Sequence, residues 1–230
     1  MDAFTAWLRQ LDFSIVYEYG TVILASMLCI MFHEVSHGFV ALLLGDTTAR
    51  DQGRLSFNPL RHIDIWGLVM MAVFKFGWAK AVPINPRRFK KPVAGMAITA
   101  AAGPLSNIVL AFLALCFRAV AYYVYGRTMG NVAEFFIVFT ENVAILSVGL
   151  AVFNIIPIPP LDGSKVLFAL LPKPLYDKLL RVERYGFILL MVLLYAGVLD
   201  TPLYFCRTAI LDALVSISTF PFYILQHIFG

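Results

Sequence analysis

From Thr21 to Leu44 the chain reads TVILASMLCIMFHEVSHGFVALLL, an apolar run whose only charged or imidazole side chains are His33, Glu34 and His37. A bilayer core about 30 Å thick takes about 20 apolar residues of helix to cross. This stretch therefore commits the chain to a helix buried in lipid. An ionisable residue inside such a span costs a few kcal/mol even on lenient insertion scales. Three of them within five positions argue for a function that offsets the cost. On a helix, residues i and i+4 differ by about 40° of rotation and one turn of rise. Both imidazoles can thus reach one metal ion, and Glu34 stands beside them to face a water there. The competing explanation is a pair of satisfied buried histidines, each of which needs a polar partner in lipid.

The rest of the chain has the same character. Its 230 residues are 60% hydrophobic and 14% charged, with mean hydropathy +0.82. Soluble domains run about 45–50% apolar and about 25% charged. The expectation is an all-α polytopic membrane protein of five to six transmembrane helices. Spans are predicted at about 20–45, 93–122, 134–158, 184–200 and 207–229. The apolar piece 65–78 is too short to cross comfortably and reads as a re-entrant or hairpin segment; if it crosses, the spans number six. No linker or repeat divides the chain, so residues 1–230 are read as one domain. The first 20 residues carry Asp2, Asp12 and Glu18 against Arg9, unlike the basic start of a secretory signal. Cys29, Cys116 and Cys206 follow no framework and read as small packing residues.

The formal net charge of +4 is better read as an orientation signal than as a nucleic-acid surface, since cytoplasmic loops accumulate Lys and Arg. Nine lie in 46–92 and five in 160–184; the N-terminal segment and the 118–134 and 200–207 loops share four. The first two regions are therefore expected on the cytoplasmic side, the N-terminus outside and the C-terminus inside. The histidines then fall in the cytoplasmic half of the first span.

Catalytic zinc sites use three protein ligands and leave one position open. Candidates for the third are His62, Asp64, Glu141, Asp212 and Asp162. Asp162 follows the run FNIIPIPPL, where Pro157, Pro159 and Pro160 cannot continue a regular helix. Broken backbone at membrane depth is tolerated only where protein or a water-filled cavity satisfies it. A polar cavity at the cytoplasmic end of the third span is expected, with Asp162 in it. The alternative for Asp162 is an ordinary turn or helix cap.

Together, HEVSH on an early span and NIIPIPPLDG from Asn154 to Gly163 resemble the site-2 protease family of intramembrane zinc metalloproteases. GRLSFNP (53–59), WAKAVPINP (78–86) and GPLSN (103–107) also look like family segments, and the likeness covers roughly 20–170. It implies that His33, His37 and Asp162 bind one zinc ion, Glu34 acts as general base, and Asn154 helps hold the oxyanion. It further implies an endopeptidase in a prokaryotic cell membrane, active toward the cytoplasmic side, whose partners are single-span membrane proteins and the lipid bilayer, with no nucleic acid. The processes implied are regulated intramembrane proteolysis or clearance of signal-peptide remnants. No PDZ-like or CBS-like domain is visible. Asn107 is expected to serve packing or an interhelical hydrogen bond, and Asn58 and Asn85 are further loop candidates. A helical substrate must unwind before cleavage; the short extended patterns at 54–57 and 81–84 are candidates to receive it, with ordinary loops as the alternative. From a different class, a zinc-binding transporter or a non-catalytic scaffold also fits the tetrad, though not the lack of paired sites on inverted repeats.

Overall fold

The computed structural model describes residues 13–62, 64, 67 and 80–229. Among these the regular structure is all helical, with no strand. Helix α1 (Phe13–Leu43) carries the HEVSH tetrad. It stops at Gly45, whose φ of +103° lets the Asp46 N–H return to the Ala41 carbonyl at 2.9 Å, a left-handed glycine stop. The short α2 (Thr48–Asp51) follows. Two single-turn 3-10 helices, Pro59–Arg61 and Pro86–Arg88, are each entered through an asparagine: Asn58 accepts the Leu60 N–H and Asn85 the Arg87 N–H. Asn58 and Asn85 are thus turn caps.

Helix α3 (Pro92–Thr128) opens on a proline, whose missing N–H costs nothing in the first turn. It continues through Pro104 to a left-handed stop at Met129. Helix α4 (Asn131–Asn154) runs back beside it. Then come α5 (Asp162–Ala169), α6 (Lys173–Val182), α7 (Gly186–Tyr195), α8 (Asp200–Ser218) and α9 (Phe220–Phe229). The core lies between α1, α3 and α4. Ala25 and Cys29 meet Ala111, Ala114, Ala144 and Val148, all buried. Such small residues let membrane helices approach closely, where van der Waals contact holds them together. The Cys29 thiol sits 3.1 Å from Ser147 Oγ; Cys29 is buried and packs as expected, whereas Cys206 is exposed.

Among the described residues four stretches are long and apolar enough to cross a membrane: Tyr17–Leu43, Pro92–Thr128, Asn131–Asn154 and Asp200–Phe229. The chain is an all-α integral membrane protein. The crossing expected over 184–200 is not formed. Helix α7 has ten residues, about 15 Å at 1.5 Å per residue, and the chain turns at Gly197, with φ +68°. That break redirects the C-terminal part. Arg127 donates to the Phe229 carbonyl, and Phe222 meets Tyr123 edge-on at 6.1 Å. The C-terminus therefore ends beside the last turns of α3, at the end of the bundle away from HEVSH. This differs from the expected C-terminus at the HEVSH end, because 184–200 does not cross and the last span therefore runs the opposite way. The expected re-entrant or β-like piece at 65–78 lies, apart from Gly67, outside the described residues.

Candidate metal centre

Three side chains converge where the cytoplasmic ends of the helices were expected. His33 and His37 come from consecutive turns of α1, and Asp162 is the first residue of α5. The segment from Ile155 to Leu161 leaves the helical path and brings Asp162 back against α1. Gly163 makes that return possible. A Cβ there would stand 2.0 Å from the Ile155 carbonyl oxygen, so no larger residue fits. His33 Nε2 and His37 Nε2 each lie 3.1 Å from the same oxygen, Asp162 Oδ2. All three residues are buried, and one ligand atom from each falls within 4.8 Å of the others.

The outer partners decide what these atoms can do. His37 Nδ1 is 2.7 Å from the Thr99 carbonyl. A carbonyl only accepts, so Nδ1 carries the proton and Nε2 of the neutral ring is a bare acceptor facing another acceptor. A cation must sit between them, either a ring proton or a metal ion. His33 Nδ1 is 3.4 Å from the Asn107 amide nitrogen, while Asn107 Oδ1 is buried and has no partner among the described residues. Turning that amide by 180° sets Oδ1 to accept from His33 Nδ1–H. Both rings then present Nε2 toward Asp162, each held by an outer partner in the manner usual for metal-ligating histidines. The edge of a zinc tetrahedron with bonds of 2.0–2.1 Å is about 3.3 Å, close to the two 3.1 Å separations. The donor set of two imidazoles and one carboxylate thus fits zinc. Gly103 of α3 closes the site from above: a Cβ on it would come within 2.5 Å of His37 Nε2 and 2.6 Å of His33 Cε1.

Glu34, half-buried, points its Oε2 at the Val82 N–H, 2.8 Å away. Lys165, one turn into α5, lies 3.6 Å from Asp162 Oδ1 and leaves Oδ2 to the histidines. Asn154 ends α4 and donates to the Leu150 carbonyl at 2.9 Å, a bond within its own helix rather than to the cluster. The other third-ligand candidates stay apart. Glu141 pairs with Arg118 at 3.6 Å, Asp212 is exposed on α8, Asp64 accepts from Gly67 N, and His62 is bonded to the Ser56 carbonyl.

Replacing Asp162 with Ala removes the one carboxylate that, among the described residues, reaches both imidazoles. Metal affinity is expected to fall by more than about 100-fold, beyond the range for outer partners. Metal per purified chain measures this, and an Asp162→Ala protein that kept its metal would take Asp162 out of the ligand set.

The model of the family described as "Peptidase family M50" matches residues 21–194. The chain is 39% identical over 166 residues to "Putative zinc metalloprotease YwhC" of Bacillus subtilis (strain 168), covering 70% of this chain and 74% of that one. It is 28% identical over 187 residues to "Putative zinc metalloprotease Rip2" of Mycolicibacterium smegmatis (strain ATCC 700084 / mc(2)155), covering 78% and 68%. No solved structure matches. A metal-ligand cluster assembled inside apolar helices is what a membrane zinc metalloprotease requires, and the matched span runs through every residue of it: the chain belongs to peptidase family M50 and is a site-2 protease-like enzyme.

Proposed function

We propose that this protein is an intramembrane endopeptidase that uses one zinc ion per chain to hydrolyse peptide bonds within the transmembrane segments of single-span membrane proteins. The observation that carries the reading is the convergence of Asp162 on His33 and His37, which lie on a helix of membrane-spanning length and composition. Held there, zinc would supply Lewis-acid polarisation of a water and of the scissile carbonyl. The chain's own residues would do the rest. Thr99 and Asn107 hold the two imidazoles in their tautomers. Glu34 takes a proton from the attacking water on its carboxylate and returns it to the departing amine nitrogen. Asn154 retains one amide hydrogen beyond its bond to Leu150 and is the proposed donor to the developing oxyanion.

The site would face the cytoplasmic side of a prokaryotic inner membrane, since the Lys/Arg-rich stretch 46–92 adjoins the α1 end that carries it. The described parts of that stretch, with 54–57 and 81–84 among them, would form the entry where an unwound substrate is received. The process would be regulated intramembrane proteolysis or removal of signal-peptide remnants.

The test is cleavage of a single-span reporter by the purified chain in detergent. A zinc chelator should abolish cleavage, and stoichiometric zinc should restore most of it. Cleavage that persists after the zinc content has fallen to zero would sink the proposal.

A further inference from the structure

We propose that Arg54 is a positioning residue for Glu34 and acts through a single peptide group, the one joining Ala81 to Val82. The inference deepens the endopeptidase reading and rests on it for the role of Glu34. Arg54 is buried, and among the described residues no carboxylate pairs with it. Its Nη1 donates to the Arg61 carbonyl at 2.6 Å, and its Nη2 to the carbonyls of Lys80 and Ala81 at 2.6 and 3.2 Å. A buried guanidinium that spends its donors on carbonyls is holding backbone. The Ala81 carbonyl and the Val82 N–H belong to one planar unit and point in opposite directions. The oxygen end of that unit is held by Arg54 and the hydrogen end lies on Glu34 Oε2 at 2.8 Å. A cation on the carbonyl also polarises the group and strengthens the N–H as a donor.

The surroundings fix the plane further. The Lys80 N–H is bonded to the His62 carbonyl at 2.9 Å, and the Asn85 N–H to Asp46 Oδ2 at 2.6 Å. Burial pushes the Asp46 carboxyl up, but bonds from Thr48 and the Asn85 N–H, with Arg88 nearby, outweigh it and hold the pKa below its ordinary value. Asp46 is therefore a charged anchor at neutral pH. The Val82 side chain is buried and seats on Gly38, where a Cβ would come within 2.9 Å of Val82 Cγ1. Gly38 is one turn beyond Glu34, on the same face of α1. The strap 80–85 is thus tied at both ends and seated in the middle, with one of its N–H groups aimed at Glu34. This joins the GRLSFNP and WAKAVPINP segments, far apart in sequence, to one carboxylate.

The experiment compares wild type, Arg54→Met and Arg54→Lys as full chains in detergent. Zinc per chain, kcat and KM on the reporter, and amide hydrogen exchange of the 80–85 segment are measured. Arg54→Met should keep its zinc and its KM within about twofold, lose at least about tenfold in kcat, and exchange faster at Val82. Lys, with one ammonium in place of the fork, should recover part of kcat. Unchanged exchange, unchanged kcat, or loss of zinc in parallel with kcat would each overturn the proposal, the last by showing that Arg54 merely supports the fold. A wild type that cleaves nothing would remove the endopeptidase reading alone. Val82 exchange in Arg54→Met and Glu34→Ala, which should both rise, still decides whether Arg54 positions Glu34.

Discussion

Glu34→Gln is expected to bind zinc as the wild type does and to cleave at least about 10²–10⁴-fold more slowly, the range general acid–base catalysis contributes. The substitution is unusually clean here. Glu34 is not among the atoms that converge between His33, His37 and Asp162. Among the described residues its one hydrogen bond is an acceptor bond from the Val82 N–H, and the glutamine carbonyl can accept that bond unchanged. Shape, strap contact and ligand set are all preserved. What disappears is the ability to take a proton and give it back. At 1.36 kcal/mol per decade the loss corresponds to about 3–5 kcal/mol of barrier. Zinc per chain and single-turnover cleavage of the reporter measure the two halves separately. If Glu34→Gln cleaved within a few-fold of wild type, Glu34 would not be the proton carrier. A transporter or scaffold, by contrast, has no reason to be disturbed by this change.

The features legible in the sequence were those whose cause is local. The tetrad could be read because four-residue spacing fixes which side chains share a helix face, and because three polar groups in an apolar run demand an explanation. Asp162 could be read because three prolines within four positions, Pro157, Pro159 and Pro160, cannot continue a regular helix. The helix-cap alternative for Asp162 is not what the structure shows: Leu161 is the N-cap of α5, no side chain caps it, and Asp162 is its first helical residue. Asn107 was expected to pack or to bond between helices, and it does bond across to another helix, at His33. What escaped were interactions made by backbone groups. Thr99 acts through its carbonyl and Val82 through its N–H, groups that nearly every residue possesses and no pattern can single out. The crossing predicted at 184–200 failed for a related reason. Hydropathy averages composition over a window and is blind to the turn that Gly197 makes inside it.

Gly103→Ala should damage the metal centre while leaving the helix that carries it intact. Gly103 stands on α3 where the chain passes over both imidazoles, and an ideal Cβ would sit 2.5 Å from His37 Cε1 and Nε2 and 2.6 Å from His33 Cε1. Real Cβ atoms essentially never approach another heavy atom closer than 3.0 Å, so something must move by about half an ångström. The rings are poorly placed to yield. His37 is tied to the Thr99 carbonyl one turn earlier on the same α3, and His33 to Asn107 one turn later. A metal site tolerates only about 0.2 Å of error in its ligand distances. Zinc affinity is therefore expected to drop by at least about 100-fold, and cleavage with it. Intrinsic helix propensity runs the other way, because Ala is favoured over Gly by about 1 kcal/mol inside a helix. In the zinc-free protein this gain offsets part of the overpacking cost of about 1–3 kcal/mol, so its thermal stability should fall only slightly. Gly126→Ala is the matched control: it lies on the same helix, and a Cβ there meets nothing within 4 Å. It should gain the same propensity and keep full zinc and full activity. If Gly103→Ala and Gly126→Ala behaved alike in zinc content, the close approach of α3 to the two histidines would have no functional weight. If Gly103→Ala alone lost zinc with only a slight loss of stability, the glycine would be a requirement of the metal centre rather than of the fold.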